Sequence, residues 1–335
     1  MKGKHEIVVR NRRVQYKFTI ERNITVLRGD SATGKTTLID MILQHQLSGD
    51  QSGVDVFSDK PCVVLQPMNW QLILPTIHDS IIFIDEGGRD EVNRHFVCSD
   101  AFSNAARQSD NYYVIATRAS LANLPYSVQE IYGIKNVAGN RCQKTKRLYS
   151  TFYPLFDSAT EMSILPDLVI VEGTNAGYSF FAEYFARRNV RCLSASGKGN
   201  IARILREESY SAALVIADGA AFGSEVGNVL ALQQAREFML YLPESFEWII
   251  LKTDLLNDKE IRNILAEPSS HIDSKEYFSW ERFFTALLTD RSRGTWMQYS
   301  KRKINPQYLQ PAVMEKVTQI LPAALRTGSS PENEG

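Results

Sequence analysis

The stretch Ile24-Thr-Val-Leu-Arg-Gly-Asp-Ser-Ala-Thr-Gly-Lys-Thr-Thr-Leu38 constrains this chain more than any other. Gly29, Gly34, Lys35 and Thr36 fit G-x-x-x-x-G-K-[ST], the phosphate-cradling P-loop (Walker A) pattern. Ile24, Val26 and Leu27 predict a short buried strand before it. Leu38, Ile39, Met41, Ile42 and Leu43 predict the apolar face of a helix after it. In that order, the glycines let backbone N–H groups turn inward around phosphate oxygens, and the helix N-terminus adds the positive end of its dipole. Lys35 would reach the β- and γ-phosphates, and Thr36 would set its hydroxyl on Mg²⁺. The competing reading is a chance glycine turn, which the flanking strand and helix disfavour. ATP with Mg²⁺ is the expected ligand, held by Gly29, Asp30, Ser31, Ala32, Thr33, Gly34, Lys35, Thr36 and Thr37.

With 335 residues, 44% of them hydrophobic, the chain has apolar material for about two domains. Its 38 basic and 38 acidic residues cancel, which excludes a global basic field while leaving room for a local patch. Cys62, Cys98, Cys142 and Cys192 form no C-x-x-C pair. Structural zinc is therefore not expected, and a reduced, cytoplasmic setting is. The opening Met-Lys-Gly-Lys-His-Glu leads only to a short apolar run, unlike a signal peptide, and no stretch is long and apolar enough to span a bilayer. No membrane contact is expected.

Residues 5–9 and 14–20 predict two strands joined by the polar Arg10-Asn-Arg-Arg13 turn. The helix after the glycine loop should end near Leu47, with Ser48-Gly-Asp-Gln-Ser-Gly53 as cap and loop. Short apolar runs follow at Val54–Phe57 and Cys62–Gln66. Ser80-Ile-Ile-Phe-Ile-Asp-Glu86 then predicts a buried parallel strand whose carboxyl end delivers acids into a ligand crevice. This is a Walker B pattern: Asp85 would hold the Mg²⁺ shell opposite Thr36, and Glu86 would polarise an attacking water. Residues 101–108 predict a helix. Asn111-Tyr-Tyr-Val-Ile-Ala-Thr-Arg118 predicts another buried strand ending in polar groups. It resembles the strand after Walker B in ABC-type and AAA-type ATPases, a resemblance that implies a γ-phosphate sensor at Thr117 or Arg118, against the competing reading of an ordinary strand end. Strands at 129–135 and 144–153 should close a first domain, 1–155.

Pro154 and Pro166 punctuate a linker at 156–166. After it, Asp167-Leu-Val-Ile-Val-Glu-Gly173 and Ala212-Ala-Leu-Val-Ile-Ala-Asp218 predict strands ending in acids, with a third at Val190–Leu193. A helix around Phe180 and Tyr184, another ending at Leu205, an amphipathic helix over 224–241 and a strand at Trp248–Leu251 complete an α/β domain, 166–255. A helical C-terminal segment, 256–326, and a disordered polar tail, 327–335, end the reading. Within that segment, Arg291, Arg293, Lys301, Arg302 and Lys303 interleave with Trp296, Tyr299 and Tyr308. This composition serves either as a solvated basic face or as a nucleic-acid grip.

The first half resembles ABC-type and AAA-type ATPases in its antiparallel pair, P-loop, Walker B strand and following strand. Leu47-Ser-Gly-Asp-Gln51 looks like the ABC signature but lies after the first helix instead of before Walker B. Arg89 sits where ABC-like dimers contact their partner, although a solvated loop arginine is the competing reading. The second half resembles a Toprim domain, the acid-bearing fold of topoisomerases, primases and OLD-family nucleases. Val171-Glu172-Gly173 matches its first strand and catalytic glutamate, Ser196-Gly-Lys-Gly-Asn200 its glycine turn, and Asp218 the first acid of its D-x-D pair. Ala220 replaces the second acid, and Glu225 is the one nearby substitute.

The fold class implied is α/β: a P-loop NTPase domain followed by a Toprim-like, Rossmann-like parallel-sheet domain with a helical C-terminal segment. The resemblance to OLD-family and related anti-phage ATPase–Toprim proteins implies an ATP-hydrolysing protein coupled to a Toprim-like metal site. Lys35, Glu86 and Glu172 would be catalytic, and Thr36, Asp85, Glu172 and Asp218 would hold Mg²⁺. Nucleic acid, a second copy of the chain or a partner protein are the implied partners. One rival is a regulatory ATPase whose degenerate second domain binds a partner, as Ala220 favours. The other is a small-molecule kinase, which Glu86 disfavours because a water-activating acid suits hydrolysis better than transfer.

Overall fold

The structure is a computed structural model that describes residues 1–29, 33–86, 96–137, 147–156, 166–322 and 325. The chain is α/β and divides into two compact units. The first comprises Met1–Phe156 and Glu267–Ser279, the second Asp157–Ala266 and Trp280–Gly335. The 256–326 segment is thus not one body, because its residues 267–279 belong with the first unit. Asp30, Ser31, Ala32, Arg89 and Cys142, most of the expected linker and the 327–335 tail lie outside the described residues.

In the first unit, β1 (His5–Arg10) and β2 (Val14–Ile20) pair antiparallel, His5 opposite Ile20. The turn has a local cause: Asn11 Oδ1 accepts from the N–H groups of Arg13 and Val14 at 2.8 and 2.9 Å. Next come β3 (Ile24–Leu27), helix α1 (Lys35–Ser48), β4 (Asp55–Phe57), β5 (Cys62–Val64) and the short helix α2 (Trp70–Ile73). β6 (Ile81–Asp85), α3 (Asp100–Gln108), β7 (Tyr112–Ala116), β8 (Ile131–Asn136) and β9 (Leu148–Pro154) complete it. One nine-stranded sheet results, in the order β4-β1-β2-β9-β8-β3-β7-β6-β5. β1 and β2 alternate buried with less buried residues, as one-faced strands do. β3 and β7 are buried throughout, as is β6 up to Ile84, which is why their sequences read as unbroken apolar runs.

β3, β7, β6 and β5 run parallel, with β7 between β3 and β6. Their carboxyl ends therefore share one edge, the ordinary position of a ligand crevice in such sheets. That edge receives the glycine loop after β3, Asp85 and Glu86 at the end of β6, and Thr117 after β7. The Leu47–Gln51 stretch spans the end of α1 and the 3₁₀ turn Gly49–Ser52 that follows it: Gly49, the C-cap of α1, takes φ 53°, a backbone state glycine adopts without strain.

In the second unit, β10 (Leu168–Val171), β11 (Arg191–Ser194), β12 (Ala213–Ile216) and β13 (Phe238–Tyr241) form a wholly parallel sheet, ordered β11-β10-β12-β13. Its helices are α4 (Ala176–Ala186), α5 (Ile201–Glu207), α6 (Val226–Leu230), α7 (Phe246–Lys252), α8 (Lys259–Ala266), α9 (Trp280–Arg291) and α10 (Pro311–Ile320). Two expected elements are corrected. The 224–241 helix is only α6 plus a 3₁₀ turn to Gln234, after which Phe238–Tyr241 is the fourth strand. Trp248–Leu251 belongs to helix α7, because Ser245 Oγ accepts from Trp248 N–H and starts a helix there. Among the described residues no helix is long and apolar enough to cross a membrane.

Candidate functional site

Each unit carries one concentration of chemistry at the carboxyl edge of its parallel strands. In the first, Gly29 and Gly34 take φ 129° and 95°. A side chain at Gly34 would set its Cβ 2.7 Å from Tyr16 Oη, a contact no real Cβ makes. The Tyr16 hydroxyl instead donates to Gly34 O at 3.1 Å, so β2 buttresses the loop. Lys35 begins α1 and folds back, its Nζ donating to Gly29 O at 2.7 Å and Thr33 Oγ1 at 2.9 Å. The ammonium thus ties Gly29 to Thr33.

Thr36 lies one turn before Asp40, on the same face of α1. Burial, and then the charge of Asp85, holds the Asp40 carboxyl above its ordinary value. The oxygen donors of Thr36 and Asp85 suit Mg²⁺, a hard cation that prefers carboxylate, hydroxyl and water. Asp40 escaped the sequence reading although its i+4 spacing from Thr36 was visible there.

Glu86 is only 6% exposed. Its Oε2 accepts from the hydroxyl of Thr117, and its Oε1 from the thiol of Cys98 at 3.6 Å. Thr117 thus reaches the acid at the next strand end. Burial pushes the Cys98 thiol up to about 11, with the Glu86 charge adding to it. Cys98 is held in place from several sides. Asn123 Nδ2 donates to its carbonyl at 2.8 Å, Ser99 caps α3, and Phe96 packs on Trp70 and Phe102. Arg118 is exposed.

In the second unit, Glu172 directly follows β10 and Asp218 lies just past β12, the neighbouring parallel strand. The two acids meet, with Asp218 N–H donating to Glu172 Oε2 at 3.0 Å. They line a cavity of about 70 Å³ together with Glu247, Tyr299 and Lys301. Glu247, from α7, is 2% exposed and accepts from Tyr299 Oη at 2.8 Å. Lys301 Nζ binds Glu281 Oε1 at 2.5 Å. Lys198, from the glycine turn, donates to Ala221 O at 2.7 Å. The candidate substitute Glu225 accepts from Ser224 and does not line the cavity. Glu247 and Glu281 were not singled out in the sequence, and Tyr299 and Lys301 only as members of a basic and aromatic stretch, since three separate elements bring the four together without a local motif.

Burial raises both acids. Asp218 stands well above its ordinary 3.8 through burial and then the charges of Glu281, Glu172 and Glu247. Glu172 rises through burial, while the Asp218 N–H pulls the other way. Burial alone would lower Lys301, but Glu281, Glu247 and Asp218 hold it above its usual value. The donors are hard oxygens of the kind that bind Mg²⁺. Among the described residues, however, no three His, Cys, Asp or Glu side chains are arranged to hold a metal ion.

A stability consequence follows. A carboxyl raised in the folded state costs nothing below its unfolded value, and its cost grows as pH rises towards the folded value. Asp218→Asn is therefore expected to melt higher than the parent near neutral pH and to lose that advantage below about pH 4. Each kcal/mol relieved corresponds to about 2–4 °C. Paired thermal melts at the two pH values check this; an Asn variant that melts no higher near neutrality refutes the cost.

No protein-family model, no curated protein and no solved structure matches this chain.

Proposed function

We propose that the chain binds and hydrolyses ATP in its first unit and that the acid cavity of its second unit acts on nucleic acid as a Toprim-like site. One observation carries the first part: the glycine loop with Lys35, the Asp85–Glu86 pair and Thr117 lie at the carboxyl ends of three adjacent parallel strands. In this reading Lys35 leaves Gly29 O and Thr33 Oγ1 for the β- and γ-phosphate oxygens. Thr36 and Asp85 would hold Mg²⁺, which neutralises charge developing on the phosphates. Glu86, oriented by Thr117 and Cys98, takes up the attacking water. The convergence of Glu172 and Asp218 supports the second part.

A second reading has its own observation. Ala220 is buried where a further acid would stand, and no three acids among the described residues are grouped for a metal. This favours an ATPase whose second unit binds a partner and cuts nothing.

The deciding experiment has two arms. Lys35→Ala removes a charge-assisted phosphate contact of about 1.5–3 kcal/mol, so calorimetry should record ATP affinity lower by roughly ten- to a hundredfold. Unchanged affinity in a folded variant sinks the ATP site. In the other arm, nucleic-acid cleavage with Mg²⁺ or Mn²⁺ that vanishes in Glu172→Ala supports the Toprim-like reading. Hydrolysis of ATP without any cleavage selects the partner-binding reading.

A further inference from the structure

We infer that Trp296, with the exposed Arg302 and Lys303 of the same segment, is a stacking platform for single-stranded nucleic acid on the stretch whose Tyr299 and Lys301 line the acid cavity. The inference rests on the nucleic-acid reading of that cavity and adds to it the form of the strand and the residues that grip it.

The basic and aromatic residues of 291–308 part company in the structure. Tyr299 and Tyr308 are buried and pack edge to face at 5.9 Å. Arg291 is taken up by Asp258 and Glu260, and Lys301 by Glu281. Trp296 is instead 68% exposed, and Arg302 and Lys303 are exposed as well. A large indole left in water gains nothing for the fold and is free to receive another flat ring.

The indole is not on a loose tip. Tyr308 Oη donates to the carbonyl of the next residue, Met297, at 2.8 Å, and Met297 is buried. Asn305 Nδ2 donates to Trp296 O at 3.0 Å and to Gln298 O at 3.2 Å. That side chain lays the chain just after Lys303 alongside Trp296. Ser292 Oγ accepts from Tyr299 N–H at 2.8 Å and closes the turn from the other side. Little ordering cost would remain to be met when a base stacks on Trp296.

The same short segment also forms the cavity wall. Tyr299 binds Glu247 and Lys301 lines the cavity, while Lys301 O accepts from Ala176 N–H at 3.0 Å beside the loop that follows Glu172. Trp296, Arg302 and Lys303 are thus exposed on a stretch from which Tyr299 and Lys301 reach the cavity. A basic track with an aromatic face matches a single strand, whose bases are open to stacking and whose phosphates need cations. A duplex offers no base face to the indole.

The test is fluorescence anisotropy of a labelled single-stranded oligonucleotide of about 12 nucleotides, with the full chain in chelator so that no metal-dependent cleavage intervenes. The parent should bind at about 50 mM salt and weaken as salt rises. Trp296→Ala should weaken binding by roughly five- to a hundredfold, the equivalent of one stacked base, and Trp296→Phe should retain most of it. Replacing Arg302 and Lys303 together by Ala should flatten the log–log salt dependence by about 1.4, at about 0.7 for each phosphate left without its cation. Parent-like affinity in a folded Trp296→Ala variant overturns the platform. So does a parent that binds no oligonucleotide, or one that prefers duplex regardless of Trp296. Trp296-dependent binding without cleavage when metal is added back upholds the platform and refutes only the cutting role of the cavity.

Discussion

Glu86→Gln is expected to lower ATP turnover by roughly two to four orders of magnitude, the span of a positioned acid–base group, while ATP affinity stays within about threefold of the parent. The split follows from where the carboxylate sits. It is buried at a strand end, one oxygen on the Thr117 hydroxyl and the other on the Cys98 thiol. An amide of the same shape keeps the packing. Its NH₂ can face Thr117, whose hydroxyl accepts as readily as it donates. What the amide lacks is the charge that would draw a proton from water. Steady-state hydrolysis and equilibrium binding on the same preparation check the result. Turnover equal to the parent assigns the water to another residue.

Glu130→Ala is expected to destabilise the first unit by about 3–5 kcal/mol, the cost of removing one member of a buried ion pair. Glu130 Oε1 lies 3.5 Å from Arg22 Nε, with the side chains only 2% and 6% exposed. Thr25, in β3, donates to Glu130 Oε2 at 2.9 Å. Alanine withdraws the carboxylate from both groups in a place water reaches poorly. Against a typical total of 5–15 kcal/mol the loss is large. Urea titration should show a lower midpoint with an unchanged slope. A loss under about 1 kcal/mol would mean that the pair behaves as a surface pair does. Because β3 leads into the glycine loop, ATP affinity at temperatures near the transition should fall as well.

The first unit was largely legible because its information is local. Buried parallel strands are continuous apolar runs, so Ile81–Ile84 and Tyr112–Ala116 announce themselves, and a glycine loop needs its residues at fixed spacing. The region 224–251 was misread for a physical reason. Phe238-Met-Leu-Tyr241 is too short for periodicity to separate strand from helix. Pro243 and the capping Ser245, which end one element and begin the next, were the signals that carried the answer. Glu172 and Asp218 could be paired from sequence because both end strands. Glu247, Glu281 and Lys301 could not, since their meeting depends on how α7, α9 and the segment after α9 pack. Cys98 was set aside as one of four scattered cysteines, and only the fold brings it to Glu86.

Residues 267–279 give the first unit a history in time as well as a place in space. Asn23 Nδ2 reaches Ser274 O at 3.1 Å, Gly3 N–H reaches Ser269 O at 2.8 Å, and Ser274 N–H returns to Met1 O at 3.0 Å. A ribosome that has released everything up to Phe156 has therefore not yet made all of the first unit. It must translate more than a hundred further residues, at about 5–20 per second, before the missing piece emerges. For that interval the nascent first unit waits with an open seam while most of the other unit is being born. A gene fragment cut at residue 156 makes the wait permanent, so the half best expressed alone is one that carries 267–279 back on a short tether.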